Sequence, residues 1–137
     1  MIIDCHGHYT TAPSQLQGFR DAQIAQFKEP LRLLPDMATI SDDEIRESIE
    51  TNQLRALKQR GADMTIFSPK ASAMAHHIGD ETVSKKWTSL NNYLIHRVTD
   101  LFPSHFVGVC QLPQSMNTPI SHSIQELERC VLELGFV

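Results

Sequence analysis

Three short apolar segments, each followed by a stretch of helical periodicity, constrain this chain more than any other feature. Met1–Cys5, Asp63–Ser68 (DMTIFS) and His105–Leu112 (HFVGVCQL) read as buried strands. Phe136 and Val137 look like the opening of a fourth. Strands alternating with helices imply an α/β fold, with a parallel sheet built from right-handed βαβ crossovers. A doubly wound sheet and a (β/α)8 barrel both begin this way. The first strand runs into Asp4-Cys5-His6-Gly7-His8, which is not the glycine-rich G-x-G-x-x-G loop, and this weakens the dinucleotide-binding version. The 137 residues suit one domain. A closed (β/α)8 barrel needs roughly 200 residues or more, so the expectation for residues 1–137 is a single incomplete β/α domain of about three units.

The helices carry their own punctuation. Ser41-Asp42-Asp43-Glu44 has the form of a capping box, in which serine oxygen and glutamate carboxylate satisfy each other's backbone N–H. Ile45, Ile49, Leu54 and Leu57 follow, and Arg60-Gly61 supplies a cationic last turn and a left-handed cap. From about Asp80 to Leu101 the stripe Val83, Trp87, Leu90, Leu94, Val98 and Leu101 predicts a helix stopped by Pro103. Pro119 marks another helix start, followed by Ile120, Ile124, Leu127, Val131 and Leu134 and capped by Gly135. Gln15–Lys28 has an imperfect stripe of Leu16, Phe19, Ala22, Ile24 and Phe27. Residues 29–40, with Pro30 and Pro35, read as a loop.

Charge and composition exclude several classes. Twelve Lys+Arg against sixteen Asp+Glu leave a net charge of −4 with no basic cluster, which argues against nucleic-acid binding. No apolar run approaches the ~20 residues of a membrane span. The N-terminus lacks a basic segment followed by an apolar one, so a cytoplasmic protein is expected. Cys5, Cys110 and Cys130 are odd in number and widely spaced, and reduced thiols are the economical reading. Cys5 and Cys110 are expected in the core and Cys130 half-buried.

His6 and His8 are the sharpest chemical signal. Residues i and i+2 of a strand point to one side, so two imidazoles at the C-terminal end of a first parallel strand can converge on one metal ion. Neutral imidazole suits Zn2+ and other transition ions. Gly7 between them permits close backbone approach. His76 and His77 lie in the loop after the second strand, on the same rim. One of them can approach as ligand or proton carrier, although a solvated pair is the simpler reading for metal ligation. Lys70, just past Ser68-Pro69, offers a cation for a substrate carboxylate. The candidate metal ligands are therefore His6 and His8, and the candidate substrate-binding residues are Lys70 and His77. His96, His105 and His122 read as structural or solvated. No catalytic residue is named.

A strand followed by His-x-His and β/α units resembles the amidohydrolase superfamily of metal-dependent (β/α)8 TIM barrels. The longer words MIIDCHGHYTTAP, SDDEIRESI, TIFSPKASAMAHHIGD and LFPSHFVGVCQLPQS tighten the resemblance. They are similar to the 4-oxalomesaconate hydratases of the amidohydrolase-2 group, which also contains the aminocarboxymuconate decarboxylases. The resemblance implies the N-terminal portion of a barrel and a hydro-lyase adding water to 4-oxalomesaconate. The product would be 4-carboxy-4-hydroxy-2-oxoadipate, in protocatechuate and gallate catabolism. It also implies one Zn2+, with His6 and His8 matching the first-strand ligands, a small tricarboxylate substrate and a homo-oligomer. The remaining ligands, a histidine and a carboxylate from later strands, would lie beyond Val137 with the later-strand catalytic groups. Activity would need those parts. A metal-dependent decarboxylase or hydrolase of the same group, and a non-catalytic fragment that self-associates, are the alternatives.

Overall fold

The computed structural model describes residues 1–29 and 39–137. Most of the expected 29–40 loop, with Pro30 and Pro35, lies outside the described residues. The chain runs through β1 (Ile3–Tyr9), α1 (Ser14–Lys28) and α2 (Asp42–Ile49). A π-helical turn (Glu50–Leu54) then leads into α3 (Arg55–Gln59) and β2 (Met64–Pro69). A 3-10 turn (Ala71–Ala73), α4 (Glu81–Leu101), β3 (Phe106–Gly108) and α5 (Ile120–Leu132) complete the order. The three strands form a parallel sheet in the order β1-β2-β3.

Strand order separates the two α/β layouts. The Val137 N–H donates to the Gly108 carbonyl at 3.2 Å. The other side of β3 is taken by β2, so the chain returns beside β3 and extends the sheet in sequence. A doubly wound sheet of the 3-2-1-4 type would return beside β1. Sequential addition is the order of a barrel. Phe136 and Val137 make this contact without forming a regular strand.

The capping box forms as expected. Ser41 Oγ accepts from the Glu44 N–H at 3.2 Å, and Glu44 Oε2 accepts from the Ser41 N–H at 2.8 Å. Ile45 and Ile49 then bury completely. The next core residue, Leu54, comes five positions after Ile49, too many for one α-helical turn. The π-helical turn absorbs the extra residue and returns Leu54 and Leu57 to the buried face. Gly61, at φ +66°, ends the run. These residues join Phe67, Leu94, Val98 and Phe106 in one hydrophobic core. A smaller cluster of Phe19, Met74, Trp87 and Leu90 lies beside it.

Four expectations are corrected. The first strand is longer than Met1–Cys5 and less buried, with Ile2 and Ile3 61% and 49% exposed and Cys5 exposed. Among the described residues β1 is an edge strand, with a neighbour on one side. The α1 stripe is not the buried one: Phe27 is exposed, and Arg20 and Gln23 bury beside Phe19. The α5 stripe is exposed from Ile120 to Val131, because the helix packs through Ser123 and a fully buried Cys130. β3 stops at Gly108 because the Asn92 side chain captures the Gln111 backbone, accepting from its N–H at 2.9 Å and donating to its carbonyl at 2.8 Å.

Two measurements follow. Ile49→Ala should lower the unfolding free energy by ~2–5 kcal/mol in urea titrations, since the side chain is fully buried. Glu44 is held below the ordinary glutamate pKa by the Ser41 N–H, then by the Ser41 hydroxyl and the Gln15 amide. A depressed carboxyl stabilises fully above its ordinary value, 4.5, and loses that contribution as pH falls through the folded value. Ser41→Ala keeps the N–H and removes only the hydroxyl, so it should flatten the acid side of the Tm profile in part; an unchanged profile would count against the hydroxyl's role in the capping box.

Candidate metal centre

His6 and His8 stand on β1, two residues apart, with their Nε2 atoms 3.0 Å from each other. Their rings meet edge to face at 85°, with centroids 4.6 Å apart. Gly7 between them packs closely against β2. A β-carbon there would lie 2.2 Å from Thr65 Cγ2, 3.2 Å from Phe67 Cδ2 and 3.3 Å from the Ile66 carbonyl. The register shifts between Asp4 and Gly7, then resumes with His8 opposite Ser68 and Tyr9 opposite Pro69.

That register determines the protonation of His8. Its Nδ1 lies 2.7 Å from Ser68 Oγ and 3.2 Å from the Pro69 carbonyl. A carbonyl can only accept, and the Ser68 hydroxyl has Gly7 and Pro69 carbonyls at 3.2 Å to donate to. Nδ1 therefore carries the proton, and the Nε2 lone pair points at His6. That lone pair, 3.0 Å from His6 Nε2, needs a proton from His6 or a cation to face. Two nitrogens on a tetrahedral zinc at 2.0–2.1 Å stand roughly 3.3 Å apart. The pair thus fits two ligands of one divalent ion. Among the described residues, no third His, Cys, Asp or Glu joins them in a metal-binding group.

One cavity is lined by the pair, and another begins at the next residue, Tyr9. A cleft of about 490 Å3 runs along β1 and is lined by Asp4, His6, His8 and Thr65, with Asn52, Gln53 and Arg55 opposite. The π-helical turn places Asn52 and Gln53 there. Gln53 Oε1 accepts from the Thr11 hydroxyl at 2.9 Å, which ties the segment after His8 to the helix. A second cavity of about 220 Å3 lies at the C-terminal ends of β1 and β2, lined by Tyr9, Thr10, Pro69, Lys70, Trp87 and Asn91. Burial raises the pKa of the Tyr9 phenol, more than the Ser48 hydroxyl and the Arg97 charge lower it.

Lys70 is exposed at the rim of that second cavity, one residue after the carbonyl that holds His8. His77 is exposed and lines neither cavity, so the fold does not bring it against the histidine pair. Half-buried His76 has its pKa lowered, chiefly by burial, then by the charges of Arg20 and His77. His96 and His122 pair with Asp100 at 3.4 Å and Glu81 at 2.7 Å.

Sequence reasoning missed Ser68 and Arg20. No local signal marks Ser68, whose role comes from the strand register that sets it beside His8. Arg20 occupies a face of α1 that apolar periodicity could not mark. Its guanidinium donates to Gln23 at 2.8 Å and to the Met74 and Ala75 carbonyls at 3.1 and 3.3 Å, lying 5.0 Å from the Trp87 ring. It anchors the loop that leads to His76.

The amidohydrolase family model matches residues 3–137. The chain belongs to the amidohydrolase family. It is 59% identical over all 137 residues to the 2-keto-4-carboxy-3-hexenedioate hydratase of Sphingobium sp. (strain NBRC 103272 / SYK-6), spanning 40% of that protein. The crystal structure of 4-oxalomesaconate hydratase from Rhodopseudomonas palustris superposes with a TM-score of 0.92 at 47% identity, over all of this chain and 40% of that one. A dihydroxybenzoic acid decarboxylase from Polaromonas sp. JS666, solved with bound manganese and the inhibitor 2-nitroresorcinol, has a TM-score of 0.62 at 25% identity. It is covered over 36% of its length by 99% of this chain. This amidohydrolase chain thus spans about two fifths of the hydratases it matches, and its parallel sheet is part of a TIM barrel. Amidohydrolases are in general metal-dependent. Among the described residues no helix is long and apolar enough to cross a membrane.

Gly7→Ala should cost ~1–3 kcal/mol by overpacking β1 against β2. The same variant should separate the two imidazoles and weaken Zn2+ or Mn2+ binding measured by calorimetry. Unaltered metal affinity with unaltered stability would show that the close approach is not needed.

Proposed function

We propose that this chain carries part of the active site of a metal-dependent hydro-lyase that adds water to an unsaturated oxo-tricarboxylate. The observation that carries the reading is the facing pair of His6 and His8 in a chain 59% identical throughout to a hydratase. The substrate class follows from the relatives. Both 2-keto-4-carboxy-3-hexenedioate and 4-oxalomesaconate carry three carboxylates, a ketone and one carbon–carbon double bond. Water added to the former with hydroxyl at position 4 gives 4-carboxy-4-hydroxy-2-oxoadipate. Higher identity and TM-score to a hydratase than to a decarboxylase support hydration over decarboxylation.

His6 and His8 would hold one divalent ion, Zn2+ in this reading, through their Nε2 atoms. The ion would supply Lewis acidity, drawing electrons from a substrate oxygen so that the conjugated double bond accepts a nucleophile. Ser68 and the Pro69 carbonyl keep the His8 proton on Nδ1, so Nε2 stays available for coordination. Lys70 would place a point charge against a substrate carboxylate at the mouth of the cavity beside Tyr9. His77 would join it once a substrate draws the loop inward. The general base lies outside these groups. The assignment to the cytoplasm and to a homo-oligomer belongs to the same proposal.

The test is expression of the full reading frame that contains this segment, followed by ultraviolet assay of both tricarboxylate isomers. Loss of the conjugated absorbance, with a hydroxy acid as product, is expected. Evolution of CO2 from an aromatic acid without hydration would overturn the reading. His6→Ala and His8→Ala should each abolish stoichiometric metal. Ser68→Ala should weaken metal binding on the order of 10-fold while leaving the fold intact.

A further inference from the structure

Away from the histidine pair, two packed side chains hold three consecutive carbonyls in the loop after β2. Trp87 Nε1 donates to the Ala73 carbonyl at 3.1 Å. Arg20 Nη2 donates to the Met74 and Ala75 carbonyls at 3.1 and 3.3 Å. The Arg20 guanidinium carbon lies 5.0 Å from the centre of the Trp87 ring, and that ring stacks on Phe19 at 9°. Gln23 fixes the guanidinium in turn. Its Oε1 accepts from Arg20 Nη1 at 2.8 Å, and its amide donates to the Val83 carbonyl at 3.0 Å. Arg20, Gln23, Met74 and Trp87 are all buried.

The backbone held by this clasp is strained. Ala75 has φ +43°, in the left-handed region that a residue with a β-carbon seldom enters. Its carbonyl accepts twice, from Arg20 and from the Ile78 N–H at 2.9 Å, which closes a turn over residues 75–78. Gly79 follows at φ +81°. His76 and His77 therefore ride on a turn bounded by two left-handed residues. Such a backbone persists only where its surroundings over-determine it, and at Ala75 the Arg20 side chain does so. On the other side of the clasp, the Lys70 carbonyl accepts from the Ala73 N–H at 2.9 Å. The two candidate substrate-binding residues, Lys70 and His77, thus flank one anchor.

We propose that Arg20 is a positioning residue, whose hold on the Met74 and Ala75 carbonyls sets where Lys70 and His77 stand at the rim and so governs affinity for the anionic substrate. The consequence for substrate rests on the tricarboxylate reading above; the anchoring itself does not. Arg20 is buried and lines neither cavity beside the histidine pair, so it acts through the loop and not by touching substrate. A guanidinium suits this task because its rigid fork of donors reaches Gln23 and two carbonyls at once, which an ammonium cannot match. Losing the anchor leaves the metal pair in place, since His6 and His8 stand on β1 and Ser68 holds His8. Substrate binding should therefore suffer while the metal stays.

The experiment uses the full reading frame that contains this segment, as wild type and as Arg20→Gln, Arg20→Lys and Ala75→Val. Hydrogen exchange read by mass reports on the turn, and steady-state kinetics with the tricarboxylates report on the site. Arg20→Gln should speed exchange in the peptide over residues 74–79 by roughly 10-fold, with the peptides of β1 and β2 unchanged. KM should rise by about 10-fold, with kcat and bound metal changing far less. Arg20→Lys keeps the charge and loses the fork, so the turn should still loosen and KM should still rise. Ala75→Val leaves Arg20 in place and puts a β-branched residue at a half-buried left-handed position, and it should give the same two changes. A turn as protected in Arg20→Gln as in wild type would overturn the proposal. So would a loosened turn with a wild-type KM in any variant, or a fall in kcat with KM unchanged. If Arg20→Gln does not fold, Arg20→Lys and Ala75→Val decide on the same readings. A wild type that hydrates neither tricarboxylate would overturn the reading of the function, and the exchange comparison would then decide by itself whether Arg20 holds the turn.

Discussion

His8 and Ser68 face each other across two parallel strands, and the candidate site depends on that one register. Were β1 to slide by one residue, His8 would lose both Ser68 Oγ and the Pro69 carbonyl, and its lone pair would no longer be directed at His6. Gly7 makes the register possible, because any side chain there would strike Thr65 and Phe67. The absence of a single methyl group thus sets the strand spacing, the histidine tautomer and the convergence of two Nε2 atoms.

The fold was legible in the sequence where one local signal decided the outcome. The capping box at Ser41 and the stripe from Val83 to Val98 are read from side chains a few positions apart, and both form as expected. Signals that depend on distant partners were not legible. The five-residue step from Ile49 to Leu54 was visible, but a π-helical turn is only worth forming when a sheet waits for Leu54. Arg20 and Gln23 bury because carbonyls of the 74–75 loop and of Val83 meet them, and no periodicity in α1 shows where those carbonyls will be. At the site, the His-x-His spacing was legible because strand geometry alone puts both rings on one side. Ser68 was not, because its role comes from a partner strand sixty residues away.

Most of the exposed large apolar residues fall at the two limits of the strand order. At one limit Ile2 and Ile3 flank the free edge of β1. At the other, Ile120, Ile124, Leu127 and Val131 face outward from α5, just before the chain turns to Gly108. Closing a sheet into a barrel removes both edges at once and covers the helices beside them. The stripe of α5 has a regular helical period and still stays in solvent, which separates periodicity from burial. Periodicity reports which face is made to be covered, and burial reports whether the cover is present.

Electrostatics at the rim runs against the charge of the whole chain. The net charge is −4, yet the ends of β1 and β2 carry His6, His8 and Lys70, and the loop that follows carries His76 and His77 and is held by Arg20. Asp4, the nearest acid on β1, is offset by Arg60 at 3.8 Å. Among the described residues Arg20 has no carboxylate hydrogen-bond partner; two carbonyls, an amide and the Trp87 face surround it, and its Nε is left without a hydrogen bond. Its positive charge acts on the loop above, where it adds to burial, the larger cause, in lowering the pKa of His76. A buried guanidinium neutralised by dipoles alone costs more than one paired with an acid. The chain bears that cost beside a pocket whose proposed occupant carries three negative charges, and a carboxylate partner for Arg20 would cancel the field that attracts it.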